Sequence, residues 1–499
     1  MVERFNKTMK RYCLTLLALL AGAVAWAQSG RTLSLDQAIE LATTQSPRAK
    51  VARLSFMGRY WNFRSYQAEL RPSFNLGGSL LNYDRSFVDV RDAQSGEVSY
   101  VSNHSLRNYA TLSIDQNVPF LGGTLSLESY LSRLDQFNYD VVNYNANPLL
   151  LSYTQPLKSY NSLKWRRKTE PIEYEKAKRQ YLETLQDITI ATANLFFAVL
   201  SAQSVYEENE QNYTERRQLY QQALRRHELT GGNSRSEILQ LELSLLNAEM
   251  AVTSSRLEFE SDLFELGLYL GMTQLADVRL LAPDQTPDLQ IEAAEVIDKA
   301  RQNSTHPLTQ DLKRLSSEQA LAQARSVKGL QMTLNANLGF SQTADNLTGA
   351  YSDLREHEVV GISFRLPLYD WGLSEGKVRM AKADLEVALS EIELAEAEFE
   401  HDVATRVARF NNQSRQCAIS LRAREIAGER YELVKHRFEA GAVTVTELNT
   451  AQSEYDSAVS RHISQMQAFW SAYYDLQKTA LYDFLHRRDI VAAFDELVE

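Results

Sequence analysis

Along residues 331–341, QMTLNANLGFS, apolar and small polar side chains alternate. Met332, Leu334, Ala336, Leu338 and Phe340 fall on one face, and Gln331, Thr333, Asn335, Asn337, Gly339 and Ser341 on the other. VVGISFRLPL repeats the pattern, with Val360, Ile362, Phe364, Leu366 and Leu368 opposite Gly361, Ser363 and Arg365. PSFNLGGSL sets Phe74, Leu76 and Leu80 against Ser73, Asn75 and Ser79, and Leu149, Leu151, Tyr153 and Leu157 alternate with Ser152 and Thr154. Strands of this kind, one face apolar and the other small and polar, predict the wall of a transmembrane β-barrel. A soluble sandwich also alternates, with its apolar faces meeting in a core. That architecture suits many consecutive strands, whereas here the strands come in separated sets, each ahead of a long helical run. At least four strands are predicted. Residues 109–120 and 122–131 read as a further hairpin turning at Pro119 to Gly123, which leaves the count open between four and six. Neither number closes a pore alone, since single-chain barrels need at least about eight strands. The chain therefore shares its barrel with copies of itself.

The period then changes from two to between three and four. Residues 172–230 contain no Gly or Pro over 59 positions, and residues 377–440 contain a single Gly428 in 64. As helices these runs would extend roughly 90 and 95 Å. Apolar residues step by three or four through Ile188, Ala191, Leu195, Ala198 and Ala202. With small slips they do so again through Leu385, Leu389, Ile392, Phe399, Val403 and Val407. This predicts narrow coiled-coil seams. Each run ends at a glycine turn, GGNSRSEILQLE from Gly231 and GAVTVTELNTAQ from Gly441, and a second helix follows. Gly231 and Gly441 lie 210 residues apart; the pairs Pro156-Leu157 and Pro367-Leu368, ahead of the two runs, lie 211 apart. A register held from strand to turn reads as an internal duplication. Within each turn the glycine predicts a left-handed helix ending. Ser234 with Glu237, and Thr444 with Glu447, form S/T-x-x-E capping boxes for the second helices.

Composition narrows the setting. With 44% hydrophobic and 23% charged residues the chain is not disordered, and only 20 Gly and 10 Pro in 499 residues favour long elements. From Met9 the sequence MKRYCLTLLALLAGAVAWAQ has a basic start, a short apolar run and an Ala25-Trp26-Ala27 end, which predicts a secretory leader cleaved after Ala27. The mature net charge is then −14 against −11 for the whole chain, which argues against a nucleic-acid partner. Only Cys417 remains after cleavage, so no internal disulfide forms. No later run approaches about 20 apolar residues, which predicts no membrane-spanning helix. The eight histidines make no HExxH or Cys/His cluster, and GLSEGK at residues 372–377 is one residue short of a phosphate-binding loop. No metal, cofactor or catalytic residue is expected, and His227 and His436 are read as solvated helix residues.

This layout resembles the TolC-like outer membrane factors of the outer membrane efflux protein family over about residues 33–485. The resemblance rests on the duplicated strand, Pro-Leu, long helix, glycine turn and helix unit, on YELVKHRFEAGAVTVTELNTAQSEYDSA (residues 431–458) and on LDQAIELATTQSP near the mature start. It implies a mixed membrane fold: a shared outer-membrane β-barrel continued by a long periplasmic α-helical barrel, with two repeats per chain. On this reading residues 1–27 are the leader, 28–270 the first repeat, 271–304 an equatorial belt whose LLAPDQTPDLQ is irregular, 305–485 the second repeat, and 486–499 a tail. The resemblance further implies a homotrimer in outer-membrane lipid with twelve strands. A periplasmic adaptor would dock on its tips, with an inner-membrane transporter as indirect partner. It would serve as exit duct of a tripartite efflux pump or type I secretion system. Gly231, Gly232, Ser234, Glu237, Gly441, Thr444 and Glu447 would lie at the docking tips. Asn335, Asn337, Ser363 and Arg365 would face the pore. Aligned on Gly441, Glu447 falls at the family's first acidic aperture ring, Thr450 where a second acid would stand, Phe438 at a tyrosine position and Val443 at an arginine position. Glu447 and Phe438 are therefore the gate candidates. The contrasting reading from the residues alone is a periplasmic coiled-coil scaffold or adhesin with no pore.

Overall fold

The computed structural model describes residues 31–91, 96, 98–230, 235–272, 278–283, 286–287, 289–439, 442–443 and 445–498. The predicted leader lies outside them. Two compact units emerge, one from residues 57–177 and 305–397 and the other from residues 1–56, 178–304 and 398–499.

The first unit holds one six-stranded antiparallel sheet. Its strands are β2 (Ser73–Arg91), β3 (Val98–Val118), β4 (Gly123–Gln136), β5 (Val141–Lys158), β7 (Gln331–Ala344) and β8 (Arg355–Arg365), side by side in that order. The second hairpin is thus present, as β3 and β4, between β2 and β5. Where the resemblance implies four strands per chain, these residues form six. Gly122 makes the β3–β4 turn possible at φ +77°, its N–H donating to the Val118 carbonyl at 2.7 Å.

Pairing gathers the apolar residues mostly on one face, which also carries Arg133, Gln155 and Glu358. The register runs from Phe74 to Ile114, Leu127, Leu151 and Leu338, each directly opposite the next. The last partner on that line is Glu358. The line enters at the second residue of β2, on the edge where helices attach, and leaves at the fourth of β8, near the opposite edge. The strands are therefore tilted to the sheet's ends, as barrel closure requires. At the β5 bulge between Ala146 and Leu150 the backbone crosses close over Gly339. A Cβ there would collide with the Leu149 carbonyl and come within 2.8 Å of the Leu150 Cα, so only glycine fits.

Two boundaries differ from the sequence reading. β2 continues to Arg91 because a bulge between Ser79 and Asn82 inverts the alternation: before it the even residues face the apolar side, after it Tyr83 pairs with Leu106. Leu81 sits there at φ +57°, its N–H donating to Asn108 Oδ1 at 2.7 Å. β8 ends at Arg365, ahead of Pro367, so Leu366 and Leu368 lie beyond the strand. Both remain exposed.

The second unit is built on helices. In chain order the helices of the molecule are α1 (Leu35–Thr44), α2 (Pro47–Glu69), α3 (Ser162–Thr230), α4 (Arg235–Leu270), α5 (Ala293–Asn303), α6 (His306–Lys328), α7 (Leu347–Ala350), α8 (Leu373–Glu439), α9 (Val445–Ala480) and α10 (Phe494–Val498). Phe196 and Phe197 of α3, Leu266 and Leu270 of α4, Val403 and Phe410 of α8, and Phe469, Tyr473 and Leu476 of α9 form one buried core. Phe410 lies 5.3 Å from Phe469, ring centre to ring centre. Arg406 bonds Asp475 at 2.6 Å between α8 and α9. A short parallel pair, β1 (Arg31–Leu33) with β6 (Val278–Leu280), and α5 through Val296 and Ala300 pack on this core. Ser34 and Gln37 close a capping box at the start of α1. β9 (Tyr482–Asp483) and β10 (Arg488–Asp489) pair just after α9, and the ring of Phe494 in α10 lies tilted against that of Phe56, centres 5.2 Å apart.

Both long helices start earlier than their glycine- and proline-free runs. α3 begins at Ser162 with Pro171 inside it, held by Asn161 Oδ1 accepting from the Lys164 N–H at 2.9 Å. α8 begins at Leu373, where Asp370 accepts from the Gly372 and Ser374 N–H groups. A hydrogen bond from the Ser374 side chain foremost, with those from the backbone N–H groups, holds the Asp370 carboxyl below its usual range. One stretch of α3 is apolar and long enough by composition to span a membrane, contrary to the sequence expectation, but more than half of that window is buried in the protein.

The predicted seam is right in part. Ile188, Ala202, Val403 and Val407 are buried, but Leu389 is exposed and Ala381 and Ala388 are buried in its place. Small side chains let neighbouring backbones approach, so the leucine is displaced to the flank.

Candidate functional site

The polar face of the sheet is the first candidate surface. Asn335, Asn337, Ser363 and Arg365 share it: Asn335 pairs with Thr154 and Gly361, Asn337 with Ser152 and Val359, and Ser363 with Thr333. The inserted hairpin extends this face with Ser113, Asp115, Ser126 and Glu128, which the sequence reading did not single out. Asp115 gathers three donors, Asn75 Nδ2 at 2.7 Å, Ser113 Oγ at 2.8 Å and Ser126 Oγ at 2.5 Å, tying β2, β3 and β4 together on the polar side. The opposite face carries Phe74, Leu76, Val360, Ile362 and Phe364, all exposed; Phe74 retains 73% of its accessible surface. No second sheet covers it among the described residues, as the soluble-sandwich alternative would require. A surface this apolar needs lipid or protein over it.

The helix tips are the second. Gly231, Gly232, Ser234, Gly441 and Thr444 lie outside the described residues, as does the Glu237 side chain, so the two predicted capping boxes do too. Near the second tip, the Ala442 N–H donates to the Arg437 carbonyl at 2.9 Å, the six-to-one bond found where helices end in a Schellman turn. Glu447 is the third residue of α9 and exposed, and Phe438 is half-buried in the last turn of α8. Around them Tyr431, Val434 and Ala451 form a small apolar cluster with Val443, Leu448 and Tyr455. Tyr431 and Tyr455 stack with ring centres 5.9 Å apart. Among the described residues no cluster of His, Cys, Asp or Glu is arranged to hold a metal.

A third feature was not legible in the sequence. Helices α3 and α9 are linked through Arg216 Nη2, which donates to Asn449 Oδ1 at 3.0 Å, and through Glu208 and Asp456. Burial and the hydrogen bond to Asp456 push the Glu208 carboxyl up to about 8, and while protonated it donates that hydrogen bond to Asp456. Asp456 is also raised by burial. Tyr431, pushed up to about 12 by burial and the nearby Glu215, Glu432 and Asp456, stays neutral beside them. The arrangement is an acid pair that holds two hairpins together while protonated.

The folded state binds the Glu208 proton more tightly than an exposed carboxyl at 4.5 does. The contact is therefore strongest at low pH and weakens as pH rises from about 4.5 toward 8. Disulfide trapping between cysteines placed in α3 and α9 should fall across that window, and Glu208→Gln should flatten the profile. An unchanged profile in the variant would remove Glu208 as the titrating group.

A family model described as outer membrane efflux protein matches residues 296–478. No curated protein sequence matches the chain. Among solved structures, the chain is similar to the Campylobacter jejuni CmeC outer membrane channel, with a TM-score of 0.64 and 13% identity over 93% of this chain and 88% of that one. It is similar to the Vibrio cholerae outer membrane protein VceC at 0.60 and 15%, over 89% and 95%. It is likewise similar to the open state of the Neisseria gonorrhoeae MtrE outer membrane channel at 0.58 and 14%, over 92% and 91%. At such identities these likenesses speak for the fold.

Proposed function

We infer that this chain, an outer membrane efflux protein with the fold of TolC-like channels, forms the exit duct of a tripartite efflux pump or type I secretion system. It acts as a homotrimer. The observation that carries the reading is the two-faced sheet with open edges. Its apolar side suits lipid and its polar side water, while β2 and β8 each have one neighbour and an unpaired flank. Within a bilayer such an edge leaves every second backbone group unsatisfied, which only closure corrects. Alternating strand direction lets β8 of one copy pair antiparallel with β2 of the next. The pore-free scaffold reading offers no role for the exposed apolar sheet face.

Two apolar seams support the same assembly. On α4, Leu239, Leu243, Leu246, Met250, Leu257, Phe264 and Leu268 are exposed at three-, four- and seven-residue steps. On α8, Ile419, Ile426 and Leu433 are exposed at steps of seven. These are coiled-coil seams that no other described residue of the chain covers. Their natural cover is the facing seam of a neighbouring copy.

Cross-linking in native membranes should trap three copies, and purified trimers should conduct in planar bilayers. A stable monomer conducting alone overturns the reading.

The tips at Gly231, Gly232, Ser234, Glu237, Gly441, Thr444 and Glu447 are the docking surface for a periplasmic adaptor, through which an inner-membrane transporter is engaged. The conduit is passive, and docking opens it. Glu447 and Phe438 form its aperture. Three Glu447 carboxylates brought near one axis repel each other when ionised and attract cations. Glu447→Gln keeps a capping amide and removes the charge. It should leave thermal stability unchanged while lowering cation selectivity and divalent-ion block. Unaltered selectivity and block would leave Glu447 a helix cap only.

A further inference from the structure

The β3–β4 hairpin is a complete unit of wall. β4 pairs with β3 from Gly123 to Gln136 and with β5 from Thr124 to Gln136, so both its edges are engaged. Insertion of two strands preserves the up-and-down order. The faces run on through it: Phe74 of β2, Ile114, Leu127 and Leu151 of β5 lie on one line and one side.

The turn of the hairpin is fastened on both flanks. Gln116 Nε2 donates to the Leu70 carbonyl at 3.0 Å and Asn117 Nδ2 to that of Glu69 at 3.1 Å, on the β2 side. Gln155 Nε2 donates to the Leu121 carbonyl at 2.7 Å and Asn161 Nδ2 to that of Pro119 at 3.3 Å, on the β5 side. The turn presents exposed Phe120 and Leu121, and the chain leaving β8 on the same edge presents exposed Leu368, Tyr369 and Trp371. Aromatic residues ring transmembrane barrels at the bilayer boundaries. An exposed Phe120 at the turn suits that ring.

We propose that the hairpin widens the outer-membrane pore: each copy contributes six strands, so a trimer closes about eighteen instead of the twelve that four strands per copy would give. This rests on the trimeric reading above. Barrel diameter grows roughly linearly with strand number, so the bore is about 1.5-fold wider and its area about twofold larger. The hairpin also lines the bore with Ser113, Asp115, Ser126 and Glu128. The outer-membrane section thus admits bulky hydrated polymers, and selection by size is left to the helix tips.

Polyethylene glycols of graded size, added from the outer side of single trimers in planar bilayers, measure the bore. Deletion of residues 98–140 joins β2 to β5 through the existing loop and serves as the four-strand comparator. The full chain should admit polymers about 1.5-fold larger in hydrodynamic radius than the deletion does. Equal cut-offs overturn the proposal. Face labelling in the otherwise full-length chain decides the matter independently of whether the deletion assembles. Ile114→Cys and Leu127→Cys should react only with a lipid-soluble maleimide, and Ser113→Cys and Ser126→Cys with a water-soluble one from outside. Water-soluble labelling of Ile114→Cys would mean a hairpin folded into the lumen and overturns the wider wall. Failure to find trimers in the membrane would instead defeat the reading of the protein as a shared barrel, whereas trimers with equal cut-offs defeat only the added width.

Discussion

Replacing Leu334 by arginine is expected to abolish assembled protein in the outer membrane, while the same replacement one residue on, at Asn335, leaves assembly intact and alters conductance. Leu334 stands on the mostly apolar face between Ile362 and Gln155, with Met332 and Ala336 two residues to either side. Asn335 stands on the polar face opposite Gly361 and Thr154. A lipid-facing arginine costs about 2–4 kcal/mol at the bilayer midplane and less toward its boundaries. Three copies would incur that cost together, before the barrel has closed. At Asn335 the guanidinium meets water, and three added positive charges on the bore should shift selectivity toward anions. The measurement is heat-modifiable oligomer in outer-membrane fractions, followed by single-channel recording of whatever assembles. Equal assembly of the two variants would mean that the faces have been assigned the wrong way round.

The faces of β7 and β8 were readable in the sequence because alternation there is uninterrupted. β2 was readable only to Leu80, since the bulge at Leu81 reverses which residues face lipid and no local composition announces it. The β3–β4 hairpin showed its turn through Pro119 and Gly122 but not its place in the sheet, because strand order is a long-range property. The helices were legible as long runs, yet Pro171 concealed the true start of α3, whose first turn is capped by Asn161. The tip glycines and their capping boxes were the strongest local signal, and they fall outside the described residues. The Glu208–Asp456 pair left no signal at all. Two carboxylates on solvated-looking helices become a half-buried pair only once α3 and α9 are packed together.

The exposed seams of α4 and α8 lead to the second large effect. Their heptad spacing was present in the sequence, but a single chain's pattern does not say which of its apolar stripes faces inward. The structure separates them: Leu263 and Leu266 of α4 are buried in the chain's own core, and Met250 and Leu257 are exposed. Substitution of Met250 and Leu257 together by aspartate should therefore leave the single chain folded, with helix content unchanged by circular dichroism. It should nonetheless remove the cross-linked trimer. Burying a side chain of this size contributes about 1.5–3 kcal/mol, and each copy would lose two such contacts at its boundary with the next. Aspartate adds the desolvation of a charge with no partner in an apolar seam, where Ile419, Ile426 and Leu433 of the neighbouring copy would meet it. Leu266→Asp is the control, since a charge in the core should unfold the helical unit and reduce helix content as well. Trimers at wild-type yield in the double variant would show that the α4 seam is not an interface between copies. Loss of trimer with retained helix would locate the contact between hairpins of neighbouring chains, separate from the pairing of β8 with β2 on which closure of the sheet depends.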